Sequence, residues 1–292
     1  MRLKYFLFCC LFGGFIHADA QLHYGFKTGL NFARMEGPSE TDASGNALED
    51  WKNITGFHIG MSLSYEITDN VALRGEFLYS KRGTKYTFEG PSYRTFRYDG
   101  GAVRSTGKAK YALNVNNSYL DVPIMVVGRW KDWELSAGGY AGLLVQSNGE
   151  GAYTYTEGRT APPNNSVIDK VAFNMSHNYR RDDPGGYDGD LTNTIRLDNV
   201  ARMFPQTIGA YYDFTEDKGA LYKTLDYGLV GGLSYYISRS LYLGARLQYG
   251  LADLTNDDAD VMRTTTNDDG SLLFRNDKDK NWTIQASVGF KF

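Results

Sequence analysis

The chain has 292 residues, with 22 tyrosines, 16 phenylalanines, 33 glycines, only 7 prolines, a formal net charge of -3 and a mean hydropathy of -0.43. That hydropathy is too low for a helical membrane protein, and beyond the N-terminal segment no apolar run reaches the roughly twenty residues a membrane helix needs. The charge is near neutral and no basic stripe appears, which argues against nucleic acid as a partner.

Residues 1–20 read as a secretory signal. Arg2 and Lys4 form a positive n-region, Tyr5 to Ile16 is apolar, and Ala18-Asp19-Ala20 is a small-x-small site ahead of Gln21. The run is too short for a transmembrane anchor. Cys9 and Cys10 would in principle suit a lipoprotein signal, but both lie inside the apolar run. They are the only cysteines, so residues 21–292 have neither a disulfide framework nor a cysteine nucleophile.

Period-2 alternation then predicts eight strands. The first is Tyr24 to Phe32, with Lys27 and Asn31 on its polar face. The second, Phe57 to Ile67, alternates without a break and turns at Thr68-Asp69-Asn70. The third runs from Val71 to about Ser80, with Leu73, Phe77 and Tyr79 opposed to Arg74 and Glu76. The fourth is Tyr119 to Trp130, with Asp121 and Arg129 on its polar face. After a turn at 131–133, the fifth is Glu134 to Val145. The sixth is Leu225 to Ile237, a turn follows at 238–240, and the seventh is Leu241 to Tyr249, opposing Arg246 and Gln248. The eighth, Trp282 to Phe292, ends on Phe290 and Phe292 and resembles the assembly signal of bacterial outer-membrane β-barrels, which implies barrel assembly machinery as a partner.

Three connections are short and four are long, at roughly 33–54, 81–118, 146–224 and 250–281, and the two kinds alternate strictly. This predicts an all-β fold: an eight-stranded antiparallel up-and-down transmembrane β-barrel with short periplasmic turns, four long extracellular loops and both termini in the periplasm. Residues 21–292 form one barrel domain. A soluble lipocalin-like barrel would turn the apolar face inward. Two features favour lipid outside instead. Charges of mixed sign, Lys27, Arg74, Glu76, Asp121 and Arg246, sit mid-strand on the polar face, where a closed lumen would let them pair as an ion network. Aromatics near the strand ends, Tyr24, Phe57, Tyr65, Tyr79, Tyr235, Tyr249, Trp282 and Phe292, suit two interfacial girdles.

Chemistry is sparsely signalled, and no cofactor is called for. After the signal only His23, His58 and His177 remain. His58 shares a face with Ser62, but residues four apart in a strand are roughly 13 Å apart, too far for proton transfer. In the third loop Asp182, Asp183, Asp188 and Asp190 cluster among glycines. Such loop tips are usually solvated turns, with Ca²⁺ ligation as the sharper reading. Asn256 to Asp260 reads as a solvated turn. The loops also carry aromatics: Tyr86, Phe88, Tyr93, Phe96 and Tyr98 in the second, and Tyr153, Tyr155, Tyr179, Tyr187, Tyr211, Tyr212 and Phe214 in the third. These fit either an outer platform that binds a protein or glycan, or loops that extend the strands and pack on themselves.

Tyr119-Leu-Asp-Val-Pro-Ile124 resembles the Tyr-Leu-Glu-Ile-Pro-Leu signature of the PorT-like outer-membrane β-barrel family of Bacteroidetes. Asp226 to Tyr235 fits the family's later Gly-rich strand, and Arg246 to Asp253 resembles its Arg-Tyr-Xaa-Tyr-Gly-Leu-Xaa-Asp segment. The resemblance spans about 22–292. It departs in having Asp121 for the commoner Glu and in its large third loop. It implies the fold and an outer-membrane location. Some members are linked to type IX secretion and protein maturation, but most have no known biochemical role, so no reaction transfers. The expectation is a non-enzymatic accessory or interaction protein at the cell surface, in contact with outer-membrane lipid and an envelope or secretion complex. The alternatives are a narrow conduit for small solutes and a lipid-modifying enzyme.

Overall fold

The computed structural model describes residues 22–162, 165–197 and 200–292. The expected signal, 1–20, lies outside the described residues. Eight long strands carry the chain: β1 (Leu22–Glu36), β2 (Ile54–Thr68), β3 (Val71–Tyr98), β4 (Gly101–Trp130), β5 (Trp133–Thr160), β6 (Leu225–Tyr236), β7 (Leu241–Gly250) and β8 (Lys280–Lys291). Each pairs antiparallel with the next, and β8 pairs back onto β1 from Gly25↔Lys291 to Glu36↔Lys280. The ladder returns to its starting strand, which leaves no unpaired strand edge to face hydrocarbon.

The lower part of this ring is inside out. On β2, Met61 is 64% exposed while His58 is fully enclosed. On β8, Ile284, Val288 and Phe290 face outward and Thr283, Gln285 and Ser287 inward. This excludes the lipocalin-like arrangement. Aromatics mark both rims of the apolar band. At the outer rim, the Phe57 and Tyr79 ring centres lie 5.8 Å apart. At the rim that carries the short turns, the Trp133 and Tyr235 rings pack tilted with centres 4.9 Å apart, and Trp130, paired with Trp133, is well exposed.

The strands do not stop at the outer rim. β4 has 30 residues and β3 and β5 have 28 each, where roughly 9–11 suffice to cross a bilayer. The expected loop 81–118 is instead the upper halves of β3 and β4, paired from Lys81↔Ser118 to Tyr98↔Gly101. They reverse at Asp99-Gly100, where Gly100 has φ +91° and open space around it. Much of the expected loop 146–224 continues the sheet as well. Residues 171–178 add to β5, 200–208 pair with 171–178 at Thr207↔Asn174 and Ile208↔Met175, and 187–197 pair with 200–208.

Above the rim the chemistry of the two faces exchanges. Lys85 and Glu89 point outward from β3, and Tyr86 and Phe88 point inward. On β5 a bulge helps: Ser118 pairs with Gln146 but Tyr119 with Leu144, so Val145 is skipped. Inward positions are even below it (Glu134, Tyr140, Leu144) and odd above it (Tyr153, Tyr155). The result is an extracellular storey with a water-soluble polarity, built on a membrane storey with the reverse one. Its core is aromatic. Tyr111 and Tyr153 centres lie 4.5 Å apart, and Phe96 meets Phe204 edge-on at 5.5 Å. Of the loop aromatics read from the sequence, only Tyr187 is exposed and Tyr98 half-buried; the other ten are buried. They hold the storey together and are not a binding platform.

Candidate functional site

The polar lumen is the first candidate. Even-numbered positions on β3 all point inward, so Arg74, Glu76, Ser80 and Arg82 line one wall in sequence from the periplasmic to the outer end. The five charges expected to form one network are instead divided among three groups. At the periplasmic end Arg74 forks onto Glu134, with Nη2 donating at 2.8 Å. Arg129 bridges Glu134 to Glu66, and Glu66 also takes Lys291 at 2.9 Å and faces His23 at 3.1 Å. In the middle Glu76 accepts both Arg246 nitrogens, at 2.7 and 2.8 Å, and Lys27 at 3.3 Å. Near the outer rim Arg82 donates to Asp121 at 2.6 Å and lies 3.5 Å from Asp226. The Arg82 guanidinium sits 4.1 Å from the Tyr119 ring centre, and Asp226 also accepts from Asn281 at 2.9 Å and Tyr140 at 3.2 Å.

The middle group carries two positive side chains and one negative, the outer group one positive and two negative, so their formal excesses of +1 and -1 offset each other. Sequence reasoning missed Arg82, Glu134 and Asp226 as members. Arg82 fell just beyond the expected end of its strand. Its parity with Arg74 and Glu76 was the available signal. The segments 119–124, 226–235 and 246–253 supply Tyr119, Asp121, Asp226 and Arg246 to the lumen plug.

Between the middle and outer groups, His58 Nδ1 faces Asn31 Oδ1 at 2.8 Å and His58 Nε2 faces Ser287 Oγ at 2.9 Å. Asn31 Oδ1 also accepts from Gln285. His58 therefore has a serine partner, but it is Ser287, two strands away on β8 across Gly29 of β1, and not Ser62. The order Asn-His-Ser is that of a proton relay. Asn31 and His58 are fully enclosed and Ser287 is 8% exposed, so a substrate has no approach and the three act as lumen packing.

The calcium candidates are not brought together. Asp182 Oδ2 accepts the backbone N–H groups of Asn178 and Ala210, at 2.9 and 2.7 Å, and so ties two loop segments to each other. Asp188 and Asp190 are exposed on the strand 187–197. Among the described residues, the carboxylates close enough to share an ion are Asp260, Asp277 and Asp279. Arg275 pairs with two of them, lying 2.5 Å from Asp277 and 3.9 Å from Asp260. The segment 256–260, read as a solvated turn, thus delivers Asp260 into a half-buried cluster.

Burial, reinforced by neighbouring carboxylates, pushes Asp260 up to about 7 and Asp279 up to about 6. A carboxyl whose folded pKa is raised binds more protons in the folded state, so its stabilising contribution is present at low pH and is lost as pH rises through the folded pKa. The extracellular storey is therefore expected to resist protease better at pH 5 than at pH 8, and D260N should flatten that difference. Cleavage rates of the folded protein across that range test it; a wild-type rate independent of pH would refute the linkage.

The profile of a family described as "Outer membrane protein beta-barrel domain" matches residues 17–256. The chain belongs to the outer-membrane β-barrel domain family. The match ends before β8, although β8 completes the ring. Among solved structures, the neisserial surface protein NspA is 10% identical, with 92% of this chain and 97% of that one covered and a TM-score of 0.36. Ail of Yersinia pestis, in complex with a heparin analogue, is 12% identical, with 93% and 99% covered and a TM-score of 0.35. OprG of Pseudomonas aeruginosa is 10% identical, with 94% and 97% covered and a TM-score of 0.29. None of the curated proteins matches the chain in sequence. As a member of this family, the protein is an integral outer-membrane β-barrel.

Proposed function

We propose that this barrel is a non-enzymatic accessory or interaction protein at the cell surface, of the PorT-like type and linked to an envelope or secretion complex. The observation that carries this reading is the extracellular storey. Three strands run on far past the membrane and are held by a buried aromatic core, an ordering that crossing the bilayer does not require. A rigid wall held above the membrane is suited to contact with another macromolecule. The filled lumen argues against a conduit, because the three ion groups and the Asn31–His58–Ser287 bridge occupy its section at successive heights. The sealed histidine argues against a lipid-modifying enzyme. Phe290 faces lipid and Phe292 extends past the last strand with its N–H on Tyr24; this terminus is the segment proposed for recognition by the barrel assembly machinery.

The test is a mild-detergent pull-down of the tagged protein from native outer membranes, with mass spectrometry. An envelope protein recovered in stoichiometric amount is the expected result. Recovery of the barrel alone, together with steady conductance in planar bilayers, would replace this reading with the conduit.

A further inference from the structure

Inside the extracellular storey a chamber of about 50 Å³ is walled by Arg94, Tyr111, His177, Asp213, Asp260 and Arg263, among others. A smaller chamber of about 30 Å³ shares Arg263 and Asp260 with it. Arg263 differs from the other arginines enclosed there. Its guanidinium lies 4.8 Å from the Tyr111 ring centre and 5.3 Å from that of Tyr86, and its backbone N–H goes to Glu40. Its neighbours have acceptors: Arg94 has Asp213, Arg97 has the Tyr212 and Phe214 carbonyls, and Arg275 has Glu49 and Asp277. Among the described residues, no carboxylate lies within ion-pair distance of Arg263 and no acceptor takes its side-chain N–H groups. Nor are those nitrogens sealed by protein atoms, as Nε and Nη1 of Arg94 are. The cage leaves a fixed, unpaired fork of donors on a chamber wall.

An unpaired charge held off bulk water is costly, and a guanidinium fork fits the oxygens of an anion. The rest of the wall favours one. Arg94 and Asp213 pair with each other at 2.7 Å, and Asp213 also accepts the Thr95 N–H, so the two add no net charge and Arg263 supplies the excess. His177 is neutral, since burial pushes its pKa down to about 3. Asp260, raised to about 7, is largely uncharged below neutrality. At roughly 10–15 Å³ for each water-sized occupant, the chamber holds about four waters, room for one small oxyanion.

We infer that this chamber receives one small oxyanion, of sulfate, phosphate or short carboxylate size, docked on the Arg263 guanidinium. Ordered water fills the same space only by leaving the Arg263 guanidinium without a counter-ion in contact with it. The site does not depend on the accessory role proposed above.

Sulfate is the probe, because its charge is constant across the useful pH range. The full mature protein, folded in detergent micelles, is titrated calorimetrically with sodium sulfate against sodium chloride at matched ionic strength. One saturable site is expected, weakened at least tenfold in R263Q. Heat-modifiable gel mobility checks that the variant is folded. D260N removes a negative group from the wall and should bind at least threefold more tightly at pH 7.5; it decides the matter if R263Q does not fold. Wild-type protein that gives no saturable heat beyond the chloride control, R263Q that binds as wild type does, or D260N with unchanged affinity would each overturn the proposal.

Discussion

Glu76→Ala is expected to lower folding stability by about 3–5 kcal/mol, the usual consequence of removing one partner from a buried ion pair. Glu76 is 3% exposed and is the shared acceptor for Arg246 and Lys27, which come from opposite sides of the sequence on β7 and β1. Without it two cations remain at mid-lumen with no counter-ion in their group. Most of that cost is desolvation of orphaned charge, so a second variant separates the terms. Lys27→Met, Glu76→Leu and Arg246→Met together should recover most of the loss, because a filled apolar lumen does not need the charges. Urea-induced unfolding in lipid vesicles, followed by tryptophan fluorescence, gives both values. A Glu76→Ala loss below about 1 kcal/mol would mean that water reaches this level of the lumen, and the conduit reading would regain its standing.

Arg82→Met should produce a loss of similar size, about 3–5 kcal/mol, by the opposite imbalance. Arg82 and both carboxylates are fully enclosed, and Gly142 on β5 lies between Asp121 and Asp226 in the pairing order. A Cβ at Gly142 would come within 2.5 Å of Asp121 Oδ1 and 2.9 Å of Arg82 Nη2. The glycine therefore provides the room in which the guanidinium reaches both acids. Removing Arg82 leaves two carboxylates facing one gap. Adding Asp121→Asn to Arg82→Met should recover part of the stability by removing one orphaned charge. If the double variant is no more stable than Arg82→Met alone in the same unfolding assay, the loss comes from packing against Tyr119 and not from charge.

These expectations also show where the lumen was legible. Lys27, Arg74, Glu76, Asp121 and Arg246 were recognisable as inward because each sits on the polar face of an apolar/polar alternation. Which of them meet was not, because pairing across a barrel depends on strand stagger and side-chain reach. Arg74 and Glu76 are two residues apart and bond to partners on different strands, Glu134 on β5 and Arg246 on β7. Asp226 lies on the strand after a long excursion, and nothing local ties it to Arg82.

The aromatic segments make the same point in the extracellular storey. Tyr86 and Phe88, or Tyr153 and Tyr155, alternate with polar residues much as the membrane segments do. Period 2 alone cannot say whether the apolar face meets lipid or a protein core. The third long connection was similarly opaque, because a parallel pairing such as Thr207↔Asn174 leaves no turn signature between its strands.

Local alternation, the strict order of short and long connections and the terminal aromatic strand determined the fold class, the number of membrane strands and the location, because each is a short-range pattern imposed by the bilayer. Only the tertiary structure decided the rest: that the strands continue into a second storey, that the two storeys have opposite polarity, that the charges divide into three groups, and that Arg263 is left unpaired on a chamber wall. Those depend on contacts between residues far apart in the chain, such as Arg263 and Tyr86, and closure of the ring is what brings such residues within reach.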